Sequence, residues 1–138
     1  MILTIFTDGG SLNNPGPAAS AFLIYKDKEG VYKEGTPIGI ASNNVAEYTA
    51  LINALTKVRD MIAKEELEVP ERIQCFADSN LMVSQLNGIY KIKHPDMRKL
   101  LFDVRVLEGE LRVPVSYTYV PREKNAKADA LVKEALGK

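Results

Sequence analysis

The feature that most constrains this chain is a change of hydrophobic period near Ser42. Ahead of it apolar residues run in short strand-like blocks, and behind it helix-like and strand-like segments alternate. Ile2 to Thr7 is an apolar run closed by turn residues, which predicts a central strand. Ala18 to Lys26 and Val31 to Ala41 flank "KDKEG" and predict a hairpin with Gly30 at the position needing positive φ. Then the step changes: Tyr48, Leu51, Ile52, Leu55, Val58 and Ile62 recur at helical spacing, with Asn44 and Glu47 placed as N-cap and N3. A strand over Arg72 to Ala77 follows, then a short helix begun at Asp78 or Ser79 and stopped at Gly88. Pro95 to Glu110 reads as helix, Val115 to Val120 as an alternating strand, and Asn125 to Leu136 as a last helix.

Strands joined by short links favour an antiparallel meander, and strands separated by helices favour right-handed parallel crossovers. The expected fold class is therefore α/β: one domain over residues 1–138, with a five-stranded mixed sheet and helices on both faces. Ligand sites in such sheets gather beyond the C-terminal ends of the parallel strands.

Composition narrows the function classes. The 138 residues, 46% apolar and 26% charged, suffice for a core without disulfides or structural metal. With a formal net charge of zero, binding to nucleic acid has to come from local patches. The single cysteine, Cys75, lies in an apolar segment and fits a reducing, cytoplasmic compartment, and one Cys with one His cannot build a zinc site. The apolar run at the N-terminus is too short for a signal peptide or a membrane span, so no membrane partner is expected. No segment calls for an oligomer, and the expectation is a monomer.

Four carboxylates stand out by position. Asp8 is expected to end the first strand and Asp78 the fourth, so parallel pairing would bring both out at one edge. Glu47 and Asp129 lie in the first turns of helices that start at that edge. Singly, each has a structural explanation: Asp8 as a turn former, Glu47 in a capping box, Asp78 as an N-cap, Asp129 paired with Lys133. Their common location is what those explanations leave out. Two carboxylates about 4 Å apart repel by about 4 kcal/mol at an effective dielectric near 20, and a hard cation such as Mg²⁺ or Mn²⁺ removes that cost.

"TDGGSLNNPGPAA", "SNNVAEYTAL", "FADSNLMVSQLNG" and "VPREKNAKADAL" occur in register across essentially the whole chain and closely resemble the type 1 ribonuclease H family. The resemblance maps that family's metal-binding set onto Asp8, Glu47, Asp78 and Asp129. It implies endonucleolytic hydrolysis of RNA in an RNA/DNA hybrid by two Mg²⁺ ions, with Mn²⁺ as substitute, leaving 3′-hydroxyl and 5′-phosphate ends. It also implies substrate contacts by Gly9, Gly10, Ser11, Asn14, Gly16, Ser42, Asn43 and Asn80, the glycines removing Cβ atoms where a ribose approaches. Many relatives carry a histidine in the loop before the last aspartate, where this chain has "PREKN"; Arg122 is the substrate-phosphate candidate there. The only histidine, His94, is expected at a solvated helix start.

Some members insert a basic helix and loop, for which Leu81 to Glu108 is too short. Lys91, Lys93, Arg98 and Lys99 are the nearest basic cluster, and such runs are ordinarily solvated surface. Three alternatives differ in class: a binding module of this fold without hydrolysis, a nuclease acting on double-stranded RNA or DNA, and a nucleotide-binding domain using "DGGSLNNPG" as a phosphate cradle. The last fits poorly because the loop leads into a strand rather than a helix N-terminus.

Overall fold

The opening apolar run becomes the hub of a five-stranded sheet in the computed structural model, which describes residues 1–138. Strands β1 (Ile2–Ser11), β2 (Gly16–Lys26) and β3 (Glu29–Ala41) precede helix α1 (Asn43–Ala63). Then come β4 (Arg72–Ala77), α2 (Asn80–Leu86), α3 (Pro95–Leu111), β5 (Val115–Tyr119), a 3₁₀ turn (Arg122–Lys124) and α4 (Ala126–Ala135). The strand order is β3-β2-β1-β4-β5, with β1–β2 and β2–β3 antiparallel and β1–β4 and β4–β5 parallel. That is the expected mixed α/β sheet, and no helix is long and apolar enough to cross a membrane.

Alternation along β2 sorts the two faces. Phe22 and Ile24 join Leu3, Ile5, Leu51, Leu55 and Val104 in the main core, under α1 and α3. Each fully buried leucine there contributes about 2 kcal/mol. Ala19 and Ala21, one residue out of phase, pack with Val132 of α4 on the other face. Small side chains at those positions let α4 lie close to the sheet.

Three local expectations need correction. Strand β1 does not stop at Thr7: antiparallel pairing with β2 continues from Leu3↔Lys26 to Ser11↔Ala18, so Asp8 lies inside a strand. The Gly, Asn and Pro stretch is largely a hairpin, and pairing with a neighbour outweighs the weak strand propensity of its glycines. In the next turn the residue with positive φ is Asp27 (56°), while Gly30 pairs with Tyr25. Aspartate tolerates this region, and Asp27 Oδ1 accepts the Ile2 N–H at 3.1 Å. Finally, Ser42 rather than Asn44 caps α1, its hydroxyl accepting the Val45 N–H at 3.2 Å. Asn44 is already helical, so Glu47 lies beyond N3 and is free for other work.

Candidate active site

Parallel pairing of β1 with β4 ends at Thr7↔Ala77, so Asp8 and Asp78 are the next residues on adjacent strands. Their emergence at one edge follows from register, although β1 itself runs on. Helix α1 starts at the same edge and comes very close to β1. A Cβ on Gly9 would lie 2.3 Å from the carbonyl carbon and oxygen of Ala46, an approach only glycine permits. The Gly9 N–H then donates to Glu47 Oε1 at 2.6 Å, which draws the Glu47 side chain toward Asp8.

Asp8, Glu47 and Asp78 each offer an oxygen atom, and these atoms lie within 4.8 Å of one another. Asp8 and Glu47 are only 7% and 6% exposed. Burial, and next the charge of Asp78, raise the Asp8 carboxyl to a pKa of about 7. Burial, and next the charge of Asp8, hold Glu47 well above the usual carboxylate range. Glu47 Oε2 is buried without an amide or hydroxyl donor, and the Glu47 carboxyl meets that of Asp8, a contact that is a hydrogen bond only while one of the two keeps its proton. An orphaned acceptor of this kind ordinarily costs about 1–3 kcal/mol or more. The cluster is thus short of positive charge and of donors, and its three carboxylates could coordinate a hard divalent cation, which prefers oxygen ligands.

Asp129 differs. It lies in the first turn of α4, outside the three-carboxylate cluster, with its carboxylate 3.0 Å from Lys133 Nζ one helical turn on. It nevertheless lines the same cleft, of about 390 Å³, together with Asp8, Glu47, Asp78, Asn43 and Arg122. Gly9, Gly10 and Ser11 line it too.

Four of the expected substrate-contacting residues do not reach the cleft wall: Asn14, Gly16, Ser42 and Asn80. Asn14 Oδ1 accepts the Asn43 N–H at 2.9 Å, tying the hairpin tip to the start of α1. Ser42 is occupied as the α1 cap, and Asn80 is the exposed first residue of α2. Gly16 is buried, and a Cβ there would fall 1.7 Å from the Leu12 carbonyl oxygen. Gly9 and Gly16 are therefore required by the protein's own backbone. Gly10 alone of the three has ordinary space, its nearest neighbours being Val132 at 3.8 Å and Asn43 at 4.0 Å.

Asn125 stands at the expected start of the last helix. It looks like a helix cap but makes no side-chain cap bond. At 2% exposure, its Nδ2 donates to the Thr7 carbonyl at 2.8 Å and to Asp78 Oδ2 at 3.4 Å, while Oδ1 is buried without a partner. No local pattern announces that role, because its partners are 118 and 47 residues away. Of the basic cluster, Lys99 pairs with Asp103 and Arg98 donates to the Ile92 carbonyl, and none of the four lines the cleft. His94 is the exposed N-cap of α3.

A family model described as reverse transcriptase-like matches residues 6–135. The structure of LC11-RNase H1 in complex with an RNA/DNA hybrid is similar at TM-score 0.90 and 36% identity, covering 98% of this chain and 96% of that one. RNase H1 from the halophilic archaeon Halobacterium salinarum gives a TM-score of 0.86 at 37% identity, covering 99% and 98%. The bifunctional protein Rv2228c of Mycobacterium tuberculosis is 38% identical over 138 residues, which are 99% of this chain and 36% of that protein. This chain thus spans about a third of the length of the curated relatives that it matches first.

Proposed function

Because the chain belongs to the ribonuclease HI-like family, we propose that it is a metal-dependent endoribonuclease that hydrolyses the RNA strand of RNA/DNA hybrids to 3′-hydroxyl and 5′-phosphate ends. The observation that carries the proposal is the Asp8, Glu47 and Asp78 cluster, with Glu47 Oε2 buried without an amide or hydroxyl donor, opening on a cleft that Asp129 also lines. A relative of the same fold, LC11-RNase H1, binds an RNA/DNA hybrid, which supports the choice of substrate.

In this reading Asp8, Glu47, Asp78 and Asp129 hold two Mg²⁺ ions, for which Mn²⁺ can substitute. When bound, the cations supply Lewis acidity toward the scissile phosphate and offset charge building on the leaving oxygen. The chain's own part is preorganisation. The Gly9 N–H fixes one oxygen of Glu47 and leaves the other without a donor. Asp8, raised to about 7 by burial and by the charge of Asp78, would give up its proton to hold a cation. Asn43 uses Oδ1 to accept the Ser11 N–H at 2.8 Å, which leaves its amide hydrogens for a ribose 2′-hydroxyl or a base edge. Arg122, exposed at the cleft, contacts substrate phosphate in place of the histidine many relatives carry. Buried Cys75 suits a reducing, cytoplasmic setting.

The test is cleavage of a labelled RNA/DNA hybrid beside matched RNA/RNA and DNA/DNA duplexes, with and without Mg²⁺ or Mn²⁺. Metal-dependent cutting confined to the RNA of the hybrid is expected. Intact RNA from folded protein that binds the hybrid would replace the proposal with a binding module, and preferential cutting of RNA/RNA would move the substrate class.

A further inference from the structure

Asp78 and Asp129 are restrained by groups of different kinds. Lys133 brings a full positive charge to Asp129, whereas the side chain that donates a hydrogen bond to Asp78 is the neutral amide of Asn125. The amide's orientation is decided by its surroundings. Reversed, Oδ1 would face the Thr7 carbonyl and the Asp78 carboxylate, both acceptors, so Nδ2 must point at them. Its two hydrogens then serve two elements at once: the end of the β1–β4 register through Thr7, directly before Asp8, and the carboxylate that follows β4. The Asn125 carbonyl also accepts the Asp129 N–H at 3.1 Å, at the start of α4.

We propose that Asn125 is a positioning residue for divalent cations, orienting Asp78 toward Asp8 and Glu47 and anchoring the start of α4 while leaving the charge of Asp78 available to the metal. The inference rests on the metal-site reading above. A donor that touches a carboxylate ligand aligns it without competing for the cation, whereas a cationic donor at the same place would lower the site's affinity by repulsion. Burial fits the role. Thr7 is 1% exposed and Asn125 2%, so in the intact protein the amide is the donor to the Thr7 carbonyl, which truncation would remove.

The experiment is calorimetric titration of the substrate-free protein with Mn²⁺, for the wild type, Asn125→Ala, Asp78→Asn and the double variant. Loss of an outer partner of a metal ligand typically weakens affinity by about 10–100-fold, so Asn125→Ala is expected to weaken Mn²⁺ binding at least about tenfold. The hybrid KM at saturating cation is expected to stay within about twofold. In the Asp78→Asn background, Asn125→Ala is expected to add little, because its target carboxylate is gone. A folded Asn125→Ala that melts lower yet binds Mn²⁺ as the wild type does would make the residue purely structural and overturn the inference. Failure of the wild type itself to bind Mn²⁺ would instead overturn the metal-site reading beneath it.

Should Asn125→Ala not fold, the unaltered protein decides by NMR. The side-chain amide signal of Asn125 is expected to shift on Mg²⁺ titration with the same saturation as the carboxyl signal of Asp78, and to lose that response in Asp78→Asn. An unmoved amide signal would overturn the proposal.

Discussion

The two walls of the cleft solve the same problem in opposite ways. Where α1 meets the sheet, Asp8, Glu47 and Asp78 crowd their oxygens together without an ion pair to lysine or arginine, and one oxygen of Glu47 has no amide or hydroxyl donor. On the α4 side Asp129 is 28% exposed and already compensated by Lys133, itself 62% exposed. The first arrangement is unfavourable by itself and gains from a divalent cation; the second is an ordinary surface pair. Four acidic residues that look equivalent along the chain thus divide into a strained trio and a relaxed fourth member.

The sharpest way to break the contrast is to remove a charge from the trio. Asp78→Asn keeps the shape and is expected to lower kcat by at least about a thousandfold, measured by hybrid cleavage at saturating Mg²⁺. In EDTA the same variant is expected to melt higher than the wild type, since a repulsion acting on both Asp8 and Glu47 is relieved. A lower melting point would show that the trio is not under electrostatic strain.

Acidity probes the same strain without mutation. In the unfolded chain Asp8 ionises near its ordinary value of about 4, but in the folded metal-free protein it holds its proton up to about pH 7. The folded state therefore binds more protons between those values, and stability present below about pH 4 is lost as pH rises to about 7, with Asp8 contributing on the order of 4 kcal/mol and Glu47, raised in the same direction, adding to the loss. Denaturant melts over this range in EDTA check the slope. Saturating Mg²⁺ is expected to flatten it, and Asp8→Asn to reduce it, with buried Glu47 keeping the remainder.

Geometry supports the trio through the close approach of α1 to β1. Gly9→Ala places a methyl group 2.3 Å from Ala46 backbone atoms and is expected to cost about 1–3 kcal/mol, whereas Gly10→Ala, with nothing nearer than 3.8 Å, should cost less than about 0.5 kcal/mol. Equal losses in urea melts would show that neither glycine is placed for packing. The smallest effect belongs to the relaxed side: Lys133→Met removes an exposed i,i+4 pair and should change stability by less than about 0.5 kcal/mol. A larger loss would mean that the Asp129–Lys133 pair is more than an ordinary surface contact.

Much of this was legible in the chain. The period change at Ser42 announces a meander followed by alternating strands and helices, and the placement of Asp8 and Asp78 after apolar runs announces their common edge. What could not be read concerns partners distant along the chain. Asn44 and Glu47 have the spacing of a capping box, yet Ser42 caps the helix and Glu47 turns to the Gly9 N–H, 38 residues away. Gly9 and Gly16 look like room for a ligand, yet the protein's own backbone fills that room.

By itself, then, the sequence determined the order and type of the elements, the mixed sheet, and the identity of the four carboxylates at its edge, because hydrophobic period and turn chemistry are local properties. The tertiary structure alone decided that β1 runs past Asp8, that three carboxylates share one cluster while the fourth pairs with lysine, and that Asn125 holds Asp78. Those outcomes depend on register, burial and the approach of elements far apart in the chain, and none of these leaves a trace in local spacing.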